Sequence, residues 1–527
     1  MARSDRHPPT HTIKQVHPCR RTVVKAALAV AGLEAFTACR SGDSLGTGPG
    51  RSQARDLPIP PLAASTVSSD GTRVFHLTAQ NGTTEFVAGR RTATLGYDRP
   101  YLGPTLRAAR GDKVQLSVTN SLAEMTTLHC HGMHLPAVMD GGPHQPIAPG
   151  ETWSPTFTIA QAGATLWYHP HPHGQTEHQV YAGLSGLWIL DDSDTQHPDL
   201  PHAYGVDDLP LIVQDKNFDD HGQLVLDDSG NEIGTLGRTI LVNGVVGAVH
   251  TVTSQHTRLR ILNASTARTY NFGFSDGRSF DLIATDGGLL HTPLPLTSVR
   301  LSPAERAEIV LTMTPGSTAT LRSTPPDLGR VSAPVAFGGT DTFDILRLHA
   351  ADTLAWSPAL PVTLASFGLR ESQVSRTRSF ELAGRQINGA RMDMNRIDTM
   401  VALGSTEVWQ VRNRNPFPHN FHIHDVQFEV LSIDDSPPPP ELQGRKDTVY
   451  LEPFRRYRLI MVFQDYADPV SPYMYHCHLL LHEDQGMMGQ FLSVKPGDAP
   501  SAMPLESSEC TPPANSSGSA SISAEEP

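Results

Sequence analysis

The chain has 527 residues and a formal net charge of −13 at pH 7, an acidic balance that argues against nucleic acid as a partner. Five cysteines over that length exclude a disulfide-built scaffold, and 43 glycines and 43 prolines, evenly scattered, favour short strands and turns over long helices. Once a leader is set aside, the remainder predicts roughly three domains at about 150 residues each.

Residues 1–39 read as a targeting segment rather than as fold. Cys19-Arg20-Arg21-Thr22-Val23-Val24-Lys25 resembles a twin-arginine export signal. The apolar run from Ala26 to Ala38 is interrupted by Glu34 and is too short to span a membrane. Phe36-Thr37-Ala38-Cys39 resembles a lipoprotein box, so Cys39 is a candidate lipid anchor. Without lipidation, cleavage would free the product into the cell envelope or the medium. Residues 40–64 read as a Gly/Ser/Pro linker.

A first unit, residues 65–200, opens with Gly111 to Asn120, where apolar and polar residues alternate as in a half-buried strand. His129-Cys130-His131 follows, then Met139-Asp140-Gly141-Gly142-Pro143, then Trp167-Tyr168-His169-Pro170-His171-Pro172-His173-Gly174. Alternation turns the sulfur of Cys130 away from its neighbouring histidines, and we read it as a small buried apolar residue. A pairing with Cys510 stays open. A second unit, residues 201–355, repeats the strand at Thr257 to Asn263 and carries no His-x-His pair. A third unit, residues 356–497, repeats it at Gly404 to Asn413. Pro416-Phe417-Pro418-His419-Asn420-Phe421-His422-Ile423-His424 comes next, then Lys446-Asp447-Thr448-Val449. The unit closes on Tyr475-His476-Cys477-His478-Leu479-Leu480-Leu481-His482-Glu483-Asp484-Gln485-Gly486-Met487-Met488. Three such units fit three Greek-key β-sandwiches. Residues 498–527 are Ser/Pro-rich and read as a disordered tail.

The closing segment offers a thiolate, three imidazoles and a thioether. In an extended strand His476 and His478 point one way and Cys477 the other. A metal on Cys477 is thereby wired through the backbone to metals on the flanking histidines. Cys with two histidines and a weak Met is the ligand set of a blue-copper electron-transfer centre. The four His-x-His pairs lie in the first and third units only, so a site using all of them belongs at their interface, with the middle unit as a spacer.

These motifs resemble those of the multicopper oxidases, the family of laccases, bilirubin oxidases and bacterial cuprous oxidases, from about Gly71 to Val494. The resemblance implies an all-β fold of three cupredoxin domains and four copper ions. It implies a type 1 copper on His419, Cys477 and His482, with Met487, ten residues after the Cys, as axial ligand and Met488 left to packing. It implies a type 2 copper on His129 and His422. A type 3 pair would sit on His131, His169, His171, His424, His476 and His478. Asp140 and Glu483 match carboxylates near the cluster, expected to relay protons or to orient ligands. His134, His144, His173 and His178 are expected to be supporting or surface residues. The implied reaction takes single electrons from a reductant at the type 1 site and reduces dioxygen to water at the other three coppers.

Two substrate readings compete. A laccase-like oxidase of phenols and aromatic amines needs an accessible groove near His419. A metal oxidase of Cu(I), Fe(II) or Mn(II) wants soft Met donors, yet no Met-rich run precedes His419. Only Met392, Met394 and Met400 stand there, around Asp393. The organic reading is favoured. A non-catalytic envelope scaffold predicts gaps in the ligand set, and there are none. Copper nitrite reductases share the cupredoxin unit but not the four-pair ligand set.

Overall fold

The computed structural model describes residues 54–193, 197–227 and 230–498. The export signal, Cys39 and Cys510 lie outside them. Six sheets pair into three sandwiches. In the first, Ser65–Val67, Arg73–Val87, Lys113–Asn120 and Thr152–Trp153, with Arg90–Tyr97 and Thr156–Thr158, face Leu106–Ala109, Gly186–Asp191, Ala164–His169 and His129–His131. One core joins them, with Phe75, Leu116 and Val118 meeting Leu166 and Trp188. The second sandwich joins the sheet through His256–Asn263 and Arg306–Thr312 to the sheet through Ala248–Ser254 and Phe343–Ala355. The third sets Val374–Ala383, Ser405–Asn413, Arg456–Phe463 and Phe428–Ile433 against Thr399–Ala402, Met488–Val494, Tyr473–His476, His419–Ile423 and Thr448–Leu451. This is the all-β arrangement of three sandwiches that the alternating patterns predicted, with the cupredoxin form that the family resemblance implied. No described helix is long and apolar enough to cross a membrane.

The recurring strand takes the same place each time. Lys113–Asn120, His256–Asn263 and Ser405–Asn413 each pair in parallel with an earlier strand of the same unit, Arg73–Val87, Asp208–Lys216 and Val374–Ala383. Each ends at a buried asparagine that makes the same three bonds. Asn120 Nδ2 donates to the carbonyls of Glu124 and Ile147, and its Oδ1 accepts from the Leu122 amide. Asn263 does so with Arg268, Leu301 and Ser265, and Asn413 with Phe417, Leu451 and Asn415. A short amide side chain closes a local turn and ties it to a distant segment, satisfying backbone groups that burial would orphan.

Two stretches differ from their sequence reading. The middle strand His256–Asn263 is not half-buried: from Thr257 onward every residue is buried. Its outward Arg258 and Arg260 are covered because Arg260 bonds Asp208, Glu308 and, in the first sandwich, the Thr165 hydroxyl. The end of the stretch read as a linker carries a strand, Arg55–Asp56, paired in parallel with Ala248–Ser254, and Leu57 joins the middle core.

Candidate metal centre

Two short strands of the first sandwich lie side by side in antiparallel register, His169 opposite His129 and Trp167 opposite His131. Two strands of the third do the same, with His422 opposite His476. The rings of the two strand pairs meet face to face. His129 stacks on His424 at 3.9 Å between ring centroids, and His131 on His422 at 3.7 Å. All eight imidazoles of the four His-x-His pairs are buried together.

The shortest nitrogen contacts pick out two sets of three, and His129 lies near members of both. His131 Nδ1 lies 3.4 Å from His169 Nε2, which lies 3.5 Å from His478 Nε2. His476 Nε2 lies 3.2 Å from both His171 Nε2 and His424 Nε2. His129 and His422 remain, each with a buried Nε2 that has no hydrogen-bond partner. The other ring nitrogen of each donates to a carbonyl, of Asp140 at 2.9 Å and of Asp447 at 2.8 Å. That bond fixes the tautomer and leaves Nε2 a bare lone pair, as a metal ligand requires.

Burial first, and then the crowding of neighbouring imidazoles, hold His131, His169, His422 and His424 well below the usual histidine range. His171 and His478 are brought down to about 3. Neutral rings are ligand-ready. For His129, burial is outweighed by the Asp140 carboxylate, and its direction is upward.

Both predicted carboxylates touch this cluster. Asp140 Oδ2 lies 2.6 Å from His424 Nδ1, and Oδ1 lies 3.4 Å from His129 Nδ1. Glu483 spans two rings, 3.2 Å from His171 Nδ1 and 3.2 Å from His476 Nδ1. Burial raises Glu483, and the two imidazoles outweigh it, holding the carboxylate well below its usual range. The turn after Asp140 demands glycine: Gly141 has φ +77°, and a Cβ there would fall 1.7 Å from the Leu128 carbonyl.

The second group is a triangle. Cys477 Sγ lies 3.4 Å from His419 Nδ1 and 3.5 Å from His482 Nδ1, and the two nitrogens are 3.1 Å apart. Metal bonds of about 2.0–2.3 Å to three in-plane donors span edges of about 3.5–4 Å, so the triangle fits one ion once the two imidazoles, 3.1 Å apart, move slightly outward. Burial pushes the Cys477 thiol up to about 12, so only a bound cation makes it a thiolate at neutral pH. Met487 is buried in the same core, its amide bonded to the His482 carbonyl and its carbonyl to the Cys477 amide. Met488 instead begins the closing strand, opposite His476.

The expected groove at His419 is not open. His419 and His482 are both 0% exposed. His482 Nε2 donates to the backbone carbonyl of Glu232 in the middle sandwich at 2.6 Å, and Phe417 stands 5.2 Å from the His419 ring. His134 pairs with Asp465, His144 with Gln490, and His173 and His178 are exposed. Cys130 is fully buried in the first core and has no disulfide partner among the described residues. The sequence reading gave Asp447 no role, yet its Oδ1 lies 3.0 Å from His131 Nε2. Its signal was an acid leading into the wholly buried strand Thr448–Leu451.

Three cupredoxin sandwiches with one Cys-His₂ triangle and one eight-imidazole cluster define a copper redox protein, since soft thiolate and imidazole donors in these geometries suit copper. Comparison with known proteins agrees. Three family models, each described as multicopper oxidase, match residues 78–195, 207–323 and 355–497. The chain is 38% identical over 440 residues to multicopper oxidase mco of Staphylococcus haemolyticus, covering 82% of this chain and 92% of that one. It is 37% identical to the cell division protein FtsP of Sodalis glossinidius, covering 83% and 92%. The crystal structure of a laccase from Pediococcus acidilactici Pa5930 superposes with a TM-score of 0.76 at 31% identity, over 84% of this chain and 95% of that one. The chain belongs to the multicopper oxidase family, and it is a copper-dependent oxidase.

Proposed function

We propose that His419, Cys477 and His482, with Met487 axial, hold a type 1 copper, that His129 and His422 hold a type 2 copper, and that His131, His169 and His478 and His171, His424 and His476 hold the type 3 pair. The observation that carries this is the split of eight buried imidazoles into two triples and one pair of orphaned Nε2 atoms. Copper held there would accept one electron at a time from the substrate at the Cys477 triangle, and four such electrons with four protons would reduce dioxygen to two waters at the eight-histidine cluster. The protein's own part is to order the path: Cys477 is covalently continuous with His476 and His478. Asp140 and Glu483 orient four ligand rings and stand where protons must arrive. Completeness of the ligand set favours an oxidase over a purely scaffolding envelope protein.

For the substrate, small phenols and aromatic amines are the favoured reading, with the electron passing through the cap over His419 and His482 in place of the open groove expected. Around the Cys477 triangle, Asn415 and Phe417 take positions where a Cu(I) site wants thioether and carboxylate. One observation supports the metal-oxidase alternative: the Met392 amide donates to the Gly486 carbonyl at 2.8 Å, setting Met392-Asp393-Met394 against the turn before Met487. The same reading takes the protein out of the cytoplasm by the twin-arginine route, with Cys39 as a lipid anchor, and a mass measurement on the mature N-terminus tests it. Oxygen uptake by the copper-loaded protein separates the substrates. Strong turnover of a simple phenol with weak, unsaturable response to Cu(I) is expected. Saturable, efficient Cu(I) oxidation would reverse the assignment, and no uptake with either would return the scaffold.

A further inference from the structure

The middle sandwich gives no histidine to either cluster, yet one of its side chains reaches the ligand shell. Arg306 opens the strand Arg306–Thr312 and is 1% exposed. Its five N–H donors are all used. Nε donates to the Thr165 carbonyl of the first sandwich at 3.0 Å. Nη1 and Nη2 each donate at 3.0 Å to carbonyls of its own sandwich, Ala304 and Asp286. Both grip the carboxylate of Asp447 in the third sandwich, at 2.8 and 2.6 Å. One guanidinium therefore joins all three sandwiches, and its planar fork holds Asp447 in a single orientation.

What Asp447 does there is specific. Seven of the eight cluster histidines turn Nε2 inward, and His131 alone turns Nδ1 inward, toward His169. Its Nε2 faces Asp447 Oδ1 at 3.0 Å and Thr448 Oγ1 at 3.2 Å. An acceptor-only carboxylate at that atom forces the proton onto Nε2 and frees Nδ1. The backbone carbonyl of the same Asp447 accepts from His422 Nδ1 at 2.8 Å and forces the opposite tautomer on the ring stacked beside it. Gly132 keeps the space clear: with φ +84°, its Cβ would fall 2.5 Å from Asp447 Oδ2 and 2.9 Å from Arg306 Nη2.

We propose that Arg306 is a positioning residue of the trinuclear site, which by clamping Asp447 sets the reversed tautomer of His131 and the plane of His422. The middle sandwich is then the part that orients the type 2 copper relative to one type 3 copper. The proposal rests on the ligand assignment above.

The test compares Arg306→Lys and Asp447→Asn with Arg260→Lys in the copper-loaded full chain. Arg260 is a matched control: it is buried at the same interface, grips Asp208 with two bonds, bonds Thr165 and touches no histidine. Arg306→Lys keeps the charge and loses the fork; Asp447→Asn keeps the volume and lets an amide present N–H to His131. Both should change the type 2 hyperfine splitting in electron paramagnetic resonance and at least halve the near-ultraviolet type 3 absorption. Reoxidation by dioxygen should slow about 10–100-fold, while the visible type 1 band and its rate of reduction hold. Arg260→Lys should lower the melting temperature and leave every copper signal in place. If Arg306→Lys and Asp447→Asn lower the melting temperature as Arg260→Lys does, with type 2 and type 3 signals unmoved, the positioning role is refuted. Should Arg306→Lys fail to fold, the near-isosteric Asp447→Asn alone decides by the same signals. Failure of the underlying ligand assignment looks different, since the unsubstituted protein would then lack those signals.

Discussion

At the scale of single residues, the chemistry is concentrated in His476-Cys477-His478. Cys477→Ser should abolish the blue absorption and substrate oxidation, and copper analysis should still find the ions of the eight-histidine cluster. A variant that stayed blue would remove Cys477 from the type 1 site. Asp140→Asn should slow the dioxygen half-reaction by about 10–100-fold with little change in type 1 reduction, because Asp140 touches His424 and His129 and neither His419 nor His482. Rapid-mixing absorbance with the two half-reactions run separately checks it, and equal slowing of both would reduce Asp140 to a structural part. The His-x-His pairs, Cys477 and His482 stood out by their spacing within a strand or a single turn, whereas the choice of Met487 over Met488 and the roles of Asp140 and Glu483 came from the family resemblance. Asp447 was not legible as a site residue. Its contact to His131 crosses from the third unit to the first, and no local pattern records that.

At the scale of elements, the three asparagine-closed strands show why the pattern read so clearly. Alternation gave the strands, and the terminal Asn marked the place where each turns. Asn413→Ala removes three buried hydrogen bonds and leaves the carbonyls of Phe417 and Leu451 unpaired, at a cost of about 2–4 kcal/mol. Thermal unfolding should show that loss together with a weakened type 1 band, since Phe417 lies two residues from His419. A stability unchanged within error would mean the asparagine bracket is incidental. The one-turn helix Leu480–Asp484 was less legible, being too short for a 3.6-residue period to register. Its work is dense: His482 faces the Cys477 triangle and Glu483 spans two cluster rings. Asp484 accepts from the Thr176 and Glu177 amides at the start of the helix Thr176–Ala182 in the first sandwich. The burial of residues 257–263 was missed for a different reason: a period-2 pattern reports one apolar face, and Arg258 and Arg260, covered by buried acidic partners, read as solvated.

At the scale of the whole molecule, the sandwiches are joined by buried polar groups. Lys216 is one: it is fully buried, donates to the Tyr181 carbonyl and lies over that ring at 4.1 Å. Burial brings its pKa from 10.5 to about 7. The unfolded chain then binds this proton more tightly than the folded one. Its penalty on folding is full below about pH 7 and fades as pH rises toward 10.5. Lys216→Met should therefore flatten the gain in stability between pH 7 and 9, read from urea midpoints, and an unchanged slope would put the origin elsewhere. The concealment of His419 and His482 beneath Phe417 and the Glu232 carbonyl acts at this scale too. With copper in that triangle, a reductant never touches the metal: its electron has to tunnel across a peptide group and a ring. Outline then matters less than driving force and reach. Reductants rank by potential, the rate decays steeply with any thickening of the cap, and chelators in the medium find no open coordination position to attack.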